Sequence, residues 1–372
     1  MVKLKNKVHR KGMEDMCSKQ IAMDLGTANT LIYINGRGIV LQEPSVAVLN
    51  INNNKVLAVG YEAQKMIGKT PMNIEVIRPL KNGSINNFDV ARAMLKKFIE
   101  KVTNGRKIFK TFSRSQVLVG VPSDITQVER RGIEEVIKEA GARDVKLVKS
   151  VIAAAIGAGA SINEPQISFI VDIGGGTTDI AAITLGGILV EHSIKVGGTN
   201  FDDAIIQYLK RQYNVNVGEI TAENIKIEIG DVLAEEEKEI EATGKDLATG
   251  LPVPIHVNNK EILKAMGQPL HQIIEGTKKV IELCPPESAA DILENGIMLT
   301  GGGSLLNHLD VLLERELGVQ VTRVEEPLLI VIKGLGITLN HLDLLNSMML
   351  EYSARDIQEN SAFRNKDSNE RE

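Results

Sequence analysis

The sequence predicts an α/β protein of two domains, one echoing the other. Three observations carry this. The chain has 372 residues, too long for one ordinary core and about right for two. Short apolar strands alternate with amphipathic helices along most of its length. One local design occurs twice: apolar strand, aspartate, glycine–threonine turn, second apolar strand. It reads "IAMDLGTANTLIYI" from Ile21 and "ISFIVDIGGGTTDIAAI" from Ile167. Asp24 matches Asp172, and Gly26-Thr27 matches Gly176-Thr177. A duplication at that distance is domain-sized, not a short solenoid repeat.

The elements follow in order. Residues 1–20 form a polar, basic leader without the apolar stretch of a signal peptide. "IAMDLG", "TLIYING", "GIVLQE" and "SVAVLN" read as strands joined by glycine turns. "FDVARAMLKKFIEKV" is helical, with Val90, Met94, Leu95 and Phe98 on one face. "SQVLVGVP" is a strand. A helix then starts at Thr126, a good N-cap, and ends at Gly141. "KLVKSVIAAAIGAGA" leads into a second helix. After the repeated strand–turn–strand, helices are expected at "FDDAIIQYLKRQYN" and "TAENIKIEIG". "LAEEEKEIEATGKDLATGLPVPIHV" suggests a small strand-rich unit. "KEILKAMGQPLHQIIEGTKKVIELC" is mostly helical, with Pro269 expected at a bend or a helix start. "NGIMLTGGGSLLNHLDVLLERELG" reads as strand, glycine turn, helix. The polar residues 351–372 suit a disordered tail.

Composition excludes several functions. Aromatics are 3% of residues and Trp is absent, which disfavours base-stacking nucleic-acid readers. The net charge of −5 supplies no basic field for nucleic acid. Cys17 and Cys284 match no metal spacing and suit free thiols in a reducing cytoplasm. His192, His256, His271 and His308 show no ligand spacing either. No apolar run approaches the roughly 20 residues of a membrane-spanning helix. A soluble protein, at most attached to a membrane surface, is expected.

The glycine turns carry the chemistry. Glycine lets backbone turn sharply and approach a ligand closely. A strand ending in an acid, then glycines, then hydroxyls suits a phosphate and its metal ion. One such turn alone equally fits a ligand-free hairpin. Two matched turns could clamp one polyphosphate between the halves. A third glycine turn, "LTGGGSLL" from Leu299, precedes a helix, where N–H groups and the helix dipole meet an anion or a nucleotide edge.

"DLGTANTLIY", "GIVLQEPSVAVL", "AVGYEAQKMIGKTP", "TQVERRGI", "VDIGGGTTDIA", "TAENIKIEIG" and "LTGGGSLL", in this order and spacing, resemble bacterial actin of the MreB family and its close paralogues. The resemblance covers Ile21 to Leu345. It implies an actin-like ATPase fold, two α/β domains around a nucleotide cleft, each with a smaller subdomain. On this sequence the first domain would span 21–160, with its small part about 48–80, completed by 331–350; the second would span 161–330, with its small part about 199–260. It implies ATP and Mg²⁺ as ligands. Asp24 and Asp172 would hold the metal through water, because Mg²⁺ keeps much of its own shell. Gly26, Thr27, Ala28 and Asn29 would form one phosphate hairpin; Gly174, Gly175, Gly176 and Thr177 the other, with Gly197 and Gly198 beside it. Thr177 or Thr178 would help to position a water. Glu223 and Lys226, with Asn224 and Ile225 between them, would reach ribose and base. Gly302, Gly303, Ser304 and Leu305 would pack on the adenosine.

Three departures matter. Where the family has Glu-Glu-Pro before its small-residue helix, this chain has Lys149-Ser150-Val151. Ser150 stands at the position of the water-polarising glutamate. A hydroxyl orients water but accepts a proton poorly at neutral pH, so weak hydrolysis is expected unless Glu129 or Glu134 takes over. Asn82 replaces the usual aspartate of a linking segment, and Thr199 replaces an acid. Together they mark a divergent paralogue. The family resemblance further implies self-assembly into filaments. It also implies membrane contact, for which "NGRKIFKTFSRS" offers Ile108, Phe109 and Phe112 among cations. The alternative is a solvated loop, with any anchor in the leader. The expected function is an ATP-binding, membrane-associated cytoskeletal filament protein that organises cell shape and cell-wall synthesis. Organelle positioning and motility are the other tasks these motifs fit. A small-molecule kinase on the same fold would need a substrate insertion with a catalytic Asp, and a chaperone a peptide-binding domain; neither is evident.

Overall fold

The computed structural model describes residues 20–103 and 115–340. The leader, the 105–114 loop with Ile108, Phe109 and Phe112, Cys17 and the C-terminal tail lie outside the described residues.

The duplication is visible as topology. In the first half, Gln20–Leu25 (β1), Asn29–Ile34 (β2) and Gly38–Pro44 (β3) form an antiparallel meander. Three further strands, Ala47–Asn50 (β4), Lys55–Val59 (β5) and Ile74–Ile77 (β6), make a small separate sheet, with a short helix, Tyr61–Gln64 (α1), before β6. The pair Leu80–Lys81 (β7) and Ser84–Ile85 (β8) follows. The chain then returns with Phe88–Thr103 (α2), Gln116–Val121 (β9), Gln127–Glu139 (α3) and Asp144–Lys149 (β10). β9 and β10 run parallel to β1, so the main sheet has the order β10-β9-β1-β2-β3.

Ser150–Gly157 (α4) crosses to the second half, which repeats the plan. Ser168–Ile173 (β11), Thr178–Thr184 (β12) and Gly187–Ile194 (β13) form the meander. An insertion comes at the same point: Gly198–Tyr213 (α5), Val215–Asn216 (β14), Glu219–Ile229 (α6), Glu239–Asp246 (β15) and Pro252–Asn258 (β16). Then come Asn259–Leu283 (α7), Ser288–Asn295 (α8), Ile297–Thr300 (β17), Leu309–Leu317 (α9), Val321–Arg323 (β18) and Ile330–Asn340 (α10). This sheet has the order β13-β12-β11-β17-β18. Strand for strand, the two sheets are alike.

Local sequence explains the elements. α2 is capped by Asn87, whose Oδ1 accepts the Val90 N–H at 3.0 Å, and Val90, Met94, Leu95 and Phe98 are all buried. α3 begins with a capping box in which Thr126 and Glu129 each take the other's backbone N–H. Strand alternation sorts side chains between cores. In β1, Met23 enters the core of the first half while Ala22 faces the other way. In β11, Phe169 and Val171 enter the core of the second half while Ile170 faces the other way. Ala22, Ile170, Leu118 and Ala181 meet in a third core lying between the two sheets.

α4 and α10 fill that third core. α4 reads "SVIAAAIG" and is buried on every side from Val151 to Ile156. α10 carries Gly334 and Gly336 mid-helix, which costs about 1 kcal/mol each relative to alanine. The reason is contact. A Cβ on Gly334 would lie 1.8 Å from the Ala153 carbonyl oxygen, and one on Gly157 would lie 2.2 Å from that of Ile330. The two helix backbones touch, and only glycine permits it.

Two expectations are corrected. Pro269 neither starts nor breaks a helix; it sits buried inside the 25-residue α7. Ile262, Met266, Leu270 and Ile273 are buried along the same helix, and their packing outweighs the single backbone bond that proline forfeits. The third glycine turn does not open an α-helix directly. Gly302–Leu305 is a 3₁₀ turn, and α9 begins only at Leu309, after His308 in a left-handed conformation.

Gly334→Ala should lower stability by about 3 kcal/mol or prevent folding. Gly267→Ala, at a position of α7 with open space around it, should instead raise stability by up to about 1 kcal/mol. Urea unfolding of the two variants decides; equal midpoints would contradict the contact.

Candidate functional site: a cleft between two hairpins

The two hairpins face one another across a cleft of about 450 Å³. Asp24 lies near the end of β1, pairs with Leu31 across the first hairpin and lies beside Gly120 of β9. Asp172 lies near the end of β11 and beside Thr300 of β17. The matched aspartates therefore occupy matched places on matched sheets.

Contact requires the glycines. A Cβ on Gly175 would lie 2.8 Å from the Ala28 Cβ, and one on Gly176 would lie 2.7 Å from Thr27 Oγ1 and 2.9 Å from the Asn82 nitrogen. The first hairpin is held by Ser45, which donates to the Gly26 carbonyl at 2.7 Å, and by the Gly83 N–H, which donates to Thr27 Oγ1 at 3.1 Å. The second is pinned to the start of α5. The Gly198 N–H donates to the Gly174 carbonyl at 2.9 Å; the N–H and hydroxyl of Thr199 both donate to the Gly175 carbonyl at 2.8 Å. An ionised acid at 199 has no side-chain proton to donate, so this departure serves the turn. Asn82 takes a left-handed conformation (φ 50°), which asparagine tolerates well.

Three of the five acids that line the cleft, Asp24, Asp172 and Asp179, share its hairpin end. Loss of water around Asp24 on burial pushes its carboxyl up to about 7. Burial pushes Asp172 up to about 7 as well; repulsion from Asp179 and Asp24 adds to this, and the Thr300 hydroxyl at 2.9 Å opposes it. Burial pushes Asp179 up to about 6, against the Ser123 N–H that donates to its Oδ1 at 3.0 Å. Such a cluster fits a divalent cation from outside. Among the described residues no group of three or more His, Cys, Asp or Glu side chains forms a ligand cage.

The far end of the cleft is different. Glu223 and Lys226 line it on one face of α6. Lys226 pairs with Asp202 at 2.7 Å and donates to the Gly198 carbonyl at 3.1 Å. Ile227, Leu305 and Leu328 line the same region while remaining 66%, 47% and 42% exposed, an apolar ledge left uncovered. Gly302 and Gly303 close it against Leu328 and Ile173, where any Cβ would clash.

Of the sequence-expected residues, the cleft gathers Asp24, Gly26, Thr27, Ala28, Asn29, Ser150, Asp172, Gly174, Gly175, Gly176, Thr177, Gly198, Glu223, Lys226, Gly302, Gly303 and Leu305. Others sit behind it. Thr178 is fully buried and its hydroxyl donates to the Val196 carbonyl at 2.8 Å. Ser304 donates to the Gly301 carbonyl at 2.6 Å and so braces its turn. Ile225 belongs to the core of the second half, Asn224 points to solvent, and Gly197 packs on the Gly174 carbonyl. Glu129 and Glu134 do not line the cleft: Glu129 is occupied by Ser84 and Thr126, and Glu134 by Lys138. Lys149 turns away from the cleft towards Glu191. Asp179 and Asp202 were missed. The signal for Asp179 was present, since it is the register partner of Asp172 across a short hairpin.

A family model described as MreB/Mbl protein matches residues 18–347. The cell shape-determining protein Mbl of Bacillus subtilis (strain 168) is 46% identical over 323 residues, 87% of this chain and 96% of the relative. The cell shape-determining protein MreB of Escherichia coli (strain K12) is 47% identical over 333 residues, 88% and 94% of the two chains. Among solved structures, MreB5 of Spiroplasma citri bound to ADP matches with a TM-score of 0.80 at 36% identity, over 86% of this chain and 95% of that one. A MamK double helical filament matches in fold alone, with a TM-score of 0.72 at 21% identity, over 87% and 99%.

The raised carboxyls fix a sign. A group whose folded value exceeds its unfolded value stabilises the fold at low pH and loses that contribution as pH rises through the folded value. Asp172→Asn should therefore raise the melting temperature of the metal- and nucleotide-free protein at pH 8, and the gain should shrink as pH falls from 7 towards 4. Scanning calorimetry across that range checks it; a variant less stable than the parent at pH 8 would contradict the buried-charge reading.

Proposed function

The chain belongs to the MreB/Mbl family, and from that premise we propose that it is an ATP-binding bacterial actin that assembles into cytoskeletal filaments on the inner membrane surface. The observation that carries this is the meeting of the two hairpins over Asp24 and Asp172, with the uncovered apolar ledge at the other end. One end suits a metal-bound polyphosphate and the other an adenine. ADP, named as the ligand of the Spiroplasma citri relative, supports the reading.

In this reading Asp24 and Asp172 would hold Mg²⁺, which would supply charge to neutralise the phosphates. The backbone of Gly26–Asn29 and Gly174–Thr177 cradles the phosphates. Glu223 and Lys226 face the ribose and base, and Ile227, Leu305 and Leu328 cover the adenine. Thr177, at the cleft, orients a water. Ser150 lines the cleft where a glutamate would draw the proton, and its hydroxyl does not. Proton acceptance by a general base is worth about 10² to 10⁴-fold, so hydrolysis runs slowly. Long-lived ATP filaments follow. They suit a divergent paralogue in cell shape and wall synthesis, or in positioning and motility. Membrane contact in this proposal runs through Ile108, Phe109 and Phe112; among the described residues no helix is long and apolar enough to cross a membrane.

Sedimentation with Mg-ATP, followed together with phosphate release, tests the proposal. The parent should pellet and release phosphate slowly. Ser150→Glu should pellet, release phosphate about 10 to 10² times faster and disassemble sooner. A parent that stays in the supernatant under all nucleotide conditions would defeat the filament reading. Equal phosphate release by the two proteins would defeat the role given to Ser150.

A further inference from the structure

Lys149 ends β10 in the first half and Glu191 lies on β13 in the second. Their Nζ and Oε1 atoms are 2.5 Å apart, with side chains only 10% and 15% exposed. The pair therefore joins the two halves below the cleft, and the residue after Lys149 is Ser150, on the cleft wall.

The sequence builds this pair at some cost. Lys149 is the N-cap residue of α4 and offers no side-chain cap. A cation at a helix N-terminus opposes the helix dipole, and burial adds desolvation. Only a buried anion at hand offsets both. β13 supplies it by a register shift. Val190 pairs with Ala182, but Ile188 pairs with Ile183, so one residue bulges out at Leu189. The bulge brings Glu191 and Ile188 to the same face, the one turned to the core between the halves. Glu191 is opposite Ala181, whose small side chain leaves room. Among the described residues, other polar contacts also join the halves. The Ser123 N–H reaches Asp179, and Arg78 meets Glu219 at 3.2 Å near the mouth. Glu219 is 57% exposed there, and ion pairs so exposed are worth little.

We propose that Lys149 and Glu191 are positioning residues: a buried ionic strap that fixes the angle between the halves, holds Ser150 on the cleft wall and slows release of bound nucleotide. The release part rests on the reading of the cleft as a nucleotide site; the strap itself does not. Opening the cleft strains the pair, because it pulls two buried opposite charges apart.

A double-mutant cycle of Lys149→Met and Glu191→Gln tests it, with two readouts. One is dissociation of a fluorescent ATP analogue in the presence of Mg²⁺. The other is amide hydrogen exchange of the nucleotide-free protein. Each single variant should release the analogue at least about tenfold faster, and the double variant no faster than either single. Exchange should rise together in Ser150–Ile156 and Ile188–Ile194, while α2 and α7 stay at parental rates. Lys149→Arg should restore both readouts. If Glu191→Gln does not fold, Lys149→Met with Glu191→Met removes both charges and serves in its place. Unchanged release in the single variants, or effects that simply multiply in the double, would overturn the strap. So would exchange that rises throughout the chain. If the parent binds no nucleotide, the cleft reading fails, and exchange alone still decides whether the strap exists.

Discussion

The structure depends on one close contact, the backbone of α10 against the backbone of α4 at Gly334, Ala153 and Gly157. Each main sheet buries one face under its own helices and turns the other towards this contact. A side chain at Gly334 would drive the helices apart, and with them the sheets. The hairpins would then no longer meet, since Gly175 reaches Ala28 only because the two β-meanders sit at this spacing. Two helix-interior glycines are unfavourable locally and favourable here, where they let the halves approach each other.

The same spacing sets the electrostatics of the cleft. It brings Asp24 within reach of Asp172, and the hairpin register adds Asp179. Three carboxyls with raised proton affinity form an environment that a divalent cation would relieve. The glycines serve twice: they let the hairpins touch, and they leave backbone open towards the cleft. At the base of the same interface, Lys149 gives its charge to Glu191 across the halves, while its neighbour Ser150 lines the cleft with a hydroxyl.

Much of this was legible in the sequence, for identifiable reasons. The duplicated strand–Asp–Gly–Thr pattern is local and periodic, and it foretold both meanders and the matched places of Asp24 and Asp172 on them. Capping at Thr126 and the apolar face of Val90, Met94, Leu95 and Phe98 are local too. What stayed hidden depends on distant partners. Pro269 looked like a break because its neighbours' burial along α7 cannot be read from the dipeptides around it. Ser304 and Thr178 looked like site residues because their hydroxyls lie beside glycines; each instead bonds a carbonyl behind the cleft. The partner of Lys149 could not be read either, because Glu191 reaches it through the bulge at Leu189 on a distant strand. The family relation, carried by motifs along most of the chain, is matched by a family model over residues 18–347.

The central claim is that the two halves clamp one metal-bound nucleotide through Asp24 and Asp172. Calorimetric titration of the full chain with Mg-ATP addresses it most directly, with Asp24→Ala and Asp172→Ala titrated alongside. The account predicts one binding site per chain in the parent and loss of metal-dependent affinity in both variants. Equal affinity for Mg-ATP in parent and variants would contradict it.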